Sequence, residues 1–230
     1  MSENLLQTLL IQPASETSAT QKTYLELRKL IVVGEIKPGE KLKIEGLRNR
    51  LQTGASPIRE ALSLLTSDNL VERIDQRGFR AATTSRRNFD EILMLRCELE
   101  DIALRQSIAA RTQEWEEHVV LCHHRLTRIT PSVRDEFEEL HKAFHMALLG
   151  NCKGPILMKF CSQLYDLNIR YRYLAGSALD YQRRNITSEH QAIMDAAISG
   201  DADIASARLL SHYRKTGAFL ADILGATELT

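Results

Sequence analysis

The stretch PGEKLKIEGLRNRLQTGASPIREALSLLTSDNLVERIDQRGFRAA, residues 38–82, decides how this chain folds. Pro38-Gly39 marks a turn. Leu47 and Leu51 lie four apart, so residues 44–51 read as a helix with one apolar face. Thr53-Gly54-Ala55 breaks that helix. Ser56 then reads as an N-cap with Pro57 at the first helical position. Glu60 follows Ser56 by four residues rather than three, so the pair makes no capping box. This helix is expected to run to about Asp68 and to bury Ile58, Ala61, Leu62 and Leu65. Two β-like runs follow, 70–74 and 79–83, joined by Asp75-Gln76-Arg77-Gly78, where the glycine suits positive φ. Upstream, Tyr24, Leu27, Leu30 and Ile31 lie at helical spacing over 21–33, and Gly34 stops that helix. Helix, helix, tight turn, helix and two-stranded wing is the order of a winged helix-turn-helix.

The charge follows this division. Thirty basic and 30 acidic residues sum to zero over 230 residues. Residues 20–86 nevertheless carry a net charge of about +5, residues 87–230 about −3 and the first 19 about −2. Neutrality therefore excludes a uniformly basic protein and leaves room for a basic head. Two such heads on a dimer would present about +10 to DNA. Apolar residues make up 43%, enough for a core and against wholesale disorder. No apolar run approaches the roughly 20 residues of a membrane span. The N-terminus lacks the basic start of a signal peptide, which predicts a cytosolic protein without a membrane partner. Cys97, Cys122, Cys152 and Cys161 show no CxxC pairing and read as core thiols. The expected division is a tail over 1–19, a DNA-binding domain over 20–86 and an all-helical domain over 87–225.

The second part has few Gly/Pro breaks. Its periodicity predicts helices near 88–111, 114–129, 134–150, 154–175, 186–199 and 202–224, an antiparallel bundle. Residues 175–184 read as a loop. His141 and His145 are four apart on one helix face, His190 opens a later helix and His212 lies along the last. Four imidazoles on neighbouring helices can surround one metal ion, and neutral imidazole suits zinc, nickel, copper or iron alike. His118, His123 and His124 fall on a different helix, read as more exposed, and are set aside. Satisfied core histidines are the structural alternative for all four.

The segment Pro57-Ile58-Arg59-Glu60-Ala61-Leu62, with its flanking helices and Gly78, resembles the GntR-type transcriptional regulators. The segments RCELEDIAL, ELHKAFHMALLGNC and SEHQAIMDAAISGDADIASARLLSHY resemble the FCD effector domain of that family. GNC and RYRYL resemble its CsiR/GlaR-like branch, which includes a glutarate-responsive repressor. The resemblance implies a mainly α protein: a winged helix-turn-helix followed by a helical, dimerising, ligand-binding domain. Ala55 stands where the family usually carries an operator-contacting arginine, which shifts weight to other cations.

By chemistry and by the family match, Arg59 suits a bidentate guanine contact or a phosphate. Ser56, Lys43 and Arg48 suit the phosphate backbone, and Arg77 with Gly78 forms the wing tip. The resemblance implies a divalent metal, zinc foremost with nickel as another choice, on His141, His145, His190 and His212. His141 replaces the aspartate that many FCD domains use. The resemblance also implies that a small carboxylate meets Arg96, with Tyr165, Arg170 and Arg172 as further effector-binding candidates. Glu100, four residues after Arg96, reads as its ion-pair partner. Glu60 reads as a structural partner.

The leading expectation is a homodimeric repressor that binds a double-stranded operator and responds to a small organic acid. It is expected not to be an enzyme. The alternative is a metal-dependent hydrolase fused to a DNA-binding head, for which Glu189 beside His190 is the candidate base.

Overall fold

The computed structural model describes residues 18–75, 77–129, 134–175 and 185–227. The expected tail falls almost wholly on residues 1–17, and the loop after Ala175 on residues 176–184; both stretches lie outside the described residues, as does Gln76 of the wing turn. Described residues divide into two compact units, one made of those up to Ile31 with Glu35–Ala82, the other of Val32–Gly34 with those from Thr83 onward.

The first unit holds α1 (Ala19–Val32), β1 (Lys41–Leu42), α2 (Ile44–Leu51), α3 (Ala55–Ser67), β2 (Val71–Ile74) and β3 (Gly78–Ala81). The wing is three-stranded, a correction to the two strands expected: β1 adds to the edge in the order β1-β3-β2, all antiparallel. Two residues are too few to show a period in sequence, which is why β1 was invisible there. Lys41 pairs with Arg80 and Leu42 with Phe79, so Leu42 reaches the core and Lys41 faces solvent. Leu27, Ile31, Leu47, Ile58, Leu62, Leu65 and Leu70 are buried.

The α2–α3 turn also departs from expectation. Helix α3 begins at Ala55 with Gly54 as N-cap, so Ser56 and Pro57 are already inside the first turn. Ser56 is therefore not the cap. The left-handed residue of the turn is Gln52 (φ 47), whose side chain donates to the Asn49 carbonyl at 2.7 Å. Two long-range bonds fasten α1 to α3. Thr20 Oγ1 donates to Glu60 Oε2 at 2.7 Å, and Tyr24 OH donates to Asp68 Oδ2, just past α3, at 2.7 Å. Glu60 thus has a partner within its own unit.

The second unit holds α4 (Arg86–Ala109), α5 (Gln113–Arg128), α6 (Arg134–Leu149), α7 (Pro155–Leu174), α8 (Ile186–Ser199) and α9 (Ala202–Thr227). Side-chain caps start three of them: Ser85 accepts from Asn88 N, Thr112 from Trp115 N and Asn185 from Ser188 N. Helix α4 packs against α6, α7 and α9, and α8 closes on α5 and α9. The core is aliphatic around Leu104, Val119, Leu148, Ile193 and Leu209. All four cysteines are buried free thiols, and burial pushes Cys161 up to about 12. Among the described residues no helix is long and apolar enough to cross a membrane.

Gly200 ends α8 at φ +84, and an added Cβ would lie 2.6 Å from the Arg111 guanidinium. Conformation opposes a side chain there, while the Arg111 guanidinium, the end of a flexible and half-exposed side chain, can move aside. Gly200→Ala is expected to destabilise the bundle by roughly 1–2 kcal/mol, read from denaturant midpoints.

Candidate metal centre and nucleic-acid interface

Helix α3 buries Ile58, Ala61, Leu62 and Leu65, which turns Ser56, Arg59, Glu60, Ser63 and Ser67 to solvent. Arg59 and Lys43, the residue before α2, are exposed and make no side-chain hydrogen bond or ion pair with a described residue. Arg77 is likewise exposed and uncommitted at the wing, beside Gly78 at φ +97. An added Cβ at Gly78 would meet nothing within 4 Å, so only backbone conformation requires glycine there. Arg48 pairs with Glu45 at 2.9 Å; both are exposed, so the pair is weak and can yield to a phosphate. Arg73 is an exposed wing cation that sequence reasoning passed over. Its pairing with Phe79 on β3 puts it next to the tip.

In the helical unit, His141 and His145 from α6, His190 from α8 and His212 from α9 converge. One ring nitrogen of each lies within 4.8 Å of the others. His145 Nε2 is 3.2 Å from His141 Nε2, and His190 Nε2 is 3.4 Å from His212 Nε2. Four nitrogens around a tetrahedral zinc, each at about 2.0–2.1 Å, would stand about 3.3 Å apart. The spacing and the four imidazole donors therefore fit a divalent transition metal.

All four rings are at most 4% exposed. Burial, first of all, pushes the pKa of His141, His145 and His190 well below the usual imidazole value. The neighbouring rings and Arg172 push in the same direction. The Nδ1 atoms of three of the rings point outward to partners: His212 to Glu189 Oε2 at 2.8 Å, His145 to Tyr213 OH at 2.9 Å and His141 to Tyr165 OH at 2.6 Å. For His212 and His145 this is the outer hydrogen bonding that orients metal-binding imidazoles. Glu189 bonds the outward nitrogen of His212 and is thereby an orienting partner, not a base at the centre.

A small cavity adjoins the cluster, with about 10 Å³ of free space, enough for one water. Arg96, His141, Asn168, Arg172, His212 and Tyr213 line it. Arg96 Nε donates to Glu100 Oε1 at 2.7 Å and Nη1 to Asn168 Oδ1 at 2.9 Å, while Nη2 is buried with no hydrogen-bond partner. Burial is the largest single influence and opposes the Arg96 charge, but Glu100, with Tyr213 and Tyr165 beside it, together outweigh burial and raise the pKa. Arg172 pairs with buried Glu138 at 3.0 Å and lies 3.3 Å from His141 Nδ1.

Of the effector candidates, Arg96 and Arg172 line this cavity and Tyr165 touches the cluster through His141. Arg170 is buried on α7 but is not among the lining residues. Two turns of α7 carry Tyr165, Asn168 and Arg172 at i, i+3 and i+7; that spacing could have identified Asn168 beforehand. Glu138 and Tyr213 were missed as well. His123 corrects the expectation of exposure: it is 5% exposed, its ring 5.3 Å from that of Phe144, whereas His118 and His124 are exposed.

A winged helix with uncommitted cations on its third helix and wing, followed in the chain by a helical unit, is the arrangement of a DNA-binding transcriptional regulator. The family models agree: residues 19–80 match the bacterial regulatory proteins of the gntR family, and residues 91–215 match the FCD domain. The chain belongs to the GntR family of transcriptional regulators, in its FCD group.

The uncharacterised HTH-type transcriptional regulator BphR of Paraburkholderia xenovorans is 35% identical over 206 residues, 86% of this chain and 84% of that one. The HTH-type transcriptional repressor GlaR of Escherichia coli is 30% identical over 203 residues, 82% of this chain and 90% of that one. The structure of E. coli McbR/YncC shares the fold, with a TM-score of 0.78 at 22% identity over 89% of this chain and 98% of that one. These relatives are regulators, not enzymes.

Proposed function

We propose that this regulator is a homodimeric repressor whose operator affinity is set by a small carboxylate held beside a divalent metal in the helical unit. One observation carries the reading. Four imidazoles within 4.8 Å of one another adjoin a cavity lined in part by Arg96, a buried arginine that carries an unsatisfied N–H group. His141, His145, His190 and His212 hold the metal, with zinc the first choice and nickel the second. A bound metal supplies a Lewis-acidic position for one carboxylate oxygen. Arg96 Nη2 donates to the other, and Arg172 adds positive charge.

The free space is smaller than a carboxylate, so a ligand enters only by displacing lining side chains. That displacement is the differential interaction by which a ligand favours one state over another. The relative GlaR is a transcriptional repressor, which supports repression here.

On DNA, Arg59 reads a base edge, while Lys43, Arg48 and Ser56 hold phosphates and Arg77 with Gly78 meets the backbone at the wing. Two heads on one dimer match a near-palindromic operator.

Electrophoretic shifts on DNA from the promoter beside its own gene test the reading. Arg59→Ala is expected to weaken binding roughly 10- to 100-fold, and Lys43→Ala to weaken it evenly across sequences with a shallower salt dependence. Zinc-loaded protein is expected to release the DNA when the right member of a series of small mono- and dicarboxylates is added. Affinity that no acid alters, with or without metal, would sink the switch.

A further inference from the structure

His145 is the most deeply buried of the four imidazoles, at 1% exposure. Its outer nitrogen meets a hydroxyl whose own proton is already committed. Tyr213 OH lies 2.9 Å from His145 Nδ1 and is hydrogen-bonded to Glu100 Oε2. The other Glu100 oxygen, Oε1, accepts from Arg96 Nε at 2.7 Å. A carboxylate in an ion pair accepts and does not donate. Tyr213 therefore gives its one proton to Glu100 and has only lone pairs to offer His145. The ring proton of His145 must then sit on Nδ1, which leaves Nε2 bare. Nε2 is the atom that faces His141 at the centre of the cluster.

We propose that Tyr213, oriented by Glu100, is a positioning residue that holds His145 in the Nδ1–H tautomer, so that its Nε2 is presented to the cluster as a ready ligand. The tautomer belongs to the metal-free protein; only its use rests on the metal reading above. His212 reaches the same state by a shorter route, since its Nδ1 meets the Glu189 carboxylate directly. His145 lies deeper, and there the carboxylate is reached through a hydroxyl. Tyr213 follows His212 in the chain yet serves a histidine of another helix. Glu100 also anchors Arg96, whose guanidinium carbon lies 4.2 Å from the Tyr213 ring centroid. One buried carboxylate thus sets both a ligand nitrogen and the arginine assigned to the anion.

The test is nitrogen-15 NMR of labelled histidine in metal-free protein at neutral pH, which reports the nitrogen that bears the proton. Wild-type His145 is expected as Nδ1–H. Tyr213→Phe removes the acceptor, and the Nε2–H form is expected to become the major one. Glu100→Gln is the sharper variant. With its oxygen kept on Arg96, the amide N–H faces Tyr213, which then donates to His145 Nδ1 and moves the ring proton to Nε2. Zinc affinity, from competition with a chromophoric chelator, is expected to fall roughly 10- to 100-fold in both variants.

An Nε2–H His145 in wild type, or an unchanged tautomer in both variants, overturns the proposal. Wild-type protein that shows the Nδ1–H form but binds no zinc supports the relay and sinks the metal reading alone. Zinc affinity within twofold of wild type in both variants, with the tautomer moved, overturns the ligand-presenting role.

Discussion

Glu100→Ala is expected to destabilise the helical unit by about 3–5 kcal/mol. Glu100 is fully buried on α4 and Arg96 is 5% exposed, so the substitution strands a guanidinium out of water. Asn168 Oδ1 and the Tyr165 and Tyr213 rings remain near it, but no negative charge within the ion pair does. The Tyr213 hydroxyl loses its acceptor at the same time. Thermal melting of the full chain should show the loss as a drop of roughly 10 °C or more in the transition of this unit. Replacing both partners, as in Arg96→Met with Glu100→Leu, should recover much of it, because the large penalty is for a charge left alone. A single variant within 1 kcal/mol of wild type would show that the pair is not carrying buried charge.

The second large effect is acid lability of the metal-free protein. His141, His145 and His190 have folded pKa values well below the ordinary imidazole value, because burial disfavours their charged forms. In the unfolded chain they take up protons near the usual value of about 6.5. Below that pH the unfolded state binds more protons than the folded state, so stability rises with pH and falls as acid is added. The stability is fully present above about pH 6.5 and is lost progressively below it. Each histidine contributes a slope of up to about 1.4 kcal/mol per pH unit, so three together approach about 4. Urea midpoints between about pH 7.5 and pH 5.5 read this directly, and His190→Leu should flatten the slope by about a third. A midpoint that does not move across that window would contradict the burial of neutral rings. Saturating zinc should raise the midpoint at neutral pH, by roughly 4 kcal/mol at a thousandfold excess over Kd, and chelation should remove the gain.

Much of the architecture was legible beforehand because it is local. The 3.6-residue period, with Gly34, Pro38-Gly39 and Gly200-Asp201, located every helix to within two or three residues. The Pro-Ile-Arg-Glu-Ala-Leu segment placed the third helix of the head, although its cap proved to be Gly54 and not Ser56. Both fit the same turn, and the choice between them depends on a left-handed Gln52 that no propensity scale favours. Strand β1 was missed because two residues become a strand only when β3 pairs with them.

The polar site divides along the same line. Identity and spacing nominated His141, His145, His190 and His212, since one helix fixes which side chains share a face, whereas Arg96 was nominated by the family resemblance. Which of seven histidines converge, and that His123 is buried while His118 and His124 are not, depended on how α5, α6, α8 and α9 pack. Likewise, Tyr213 joins His145 to Glu100 across three helices, a contact between residues 68 and 113 positions apart in the chain. Sequence by itself determined the elements, their faces and the residue types available for chemistry, because backbone periodicity acts over a few residues. Tertiary structure decided burial, hydrogen-bond partners and therefore protonation, because desolvation and donor–acceptor pairing arise only when distant segments exclude water from the same point.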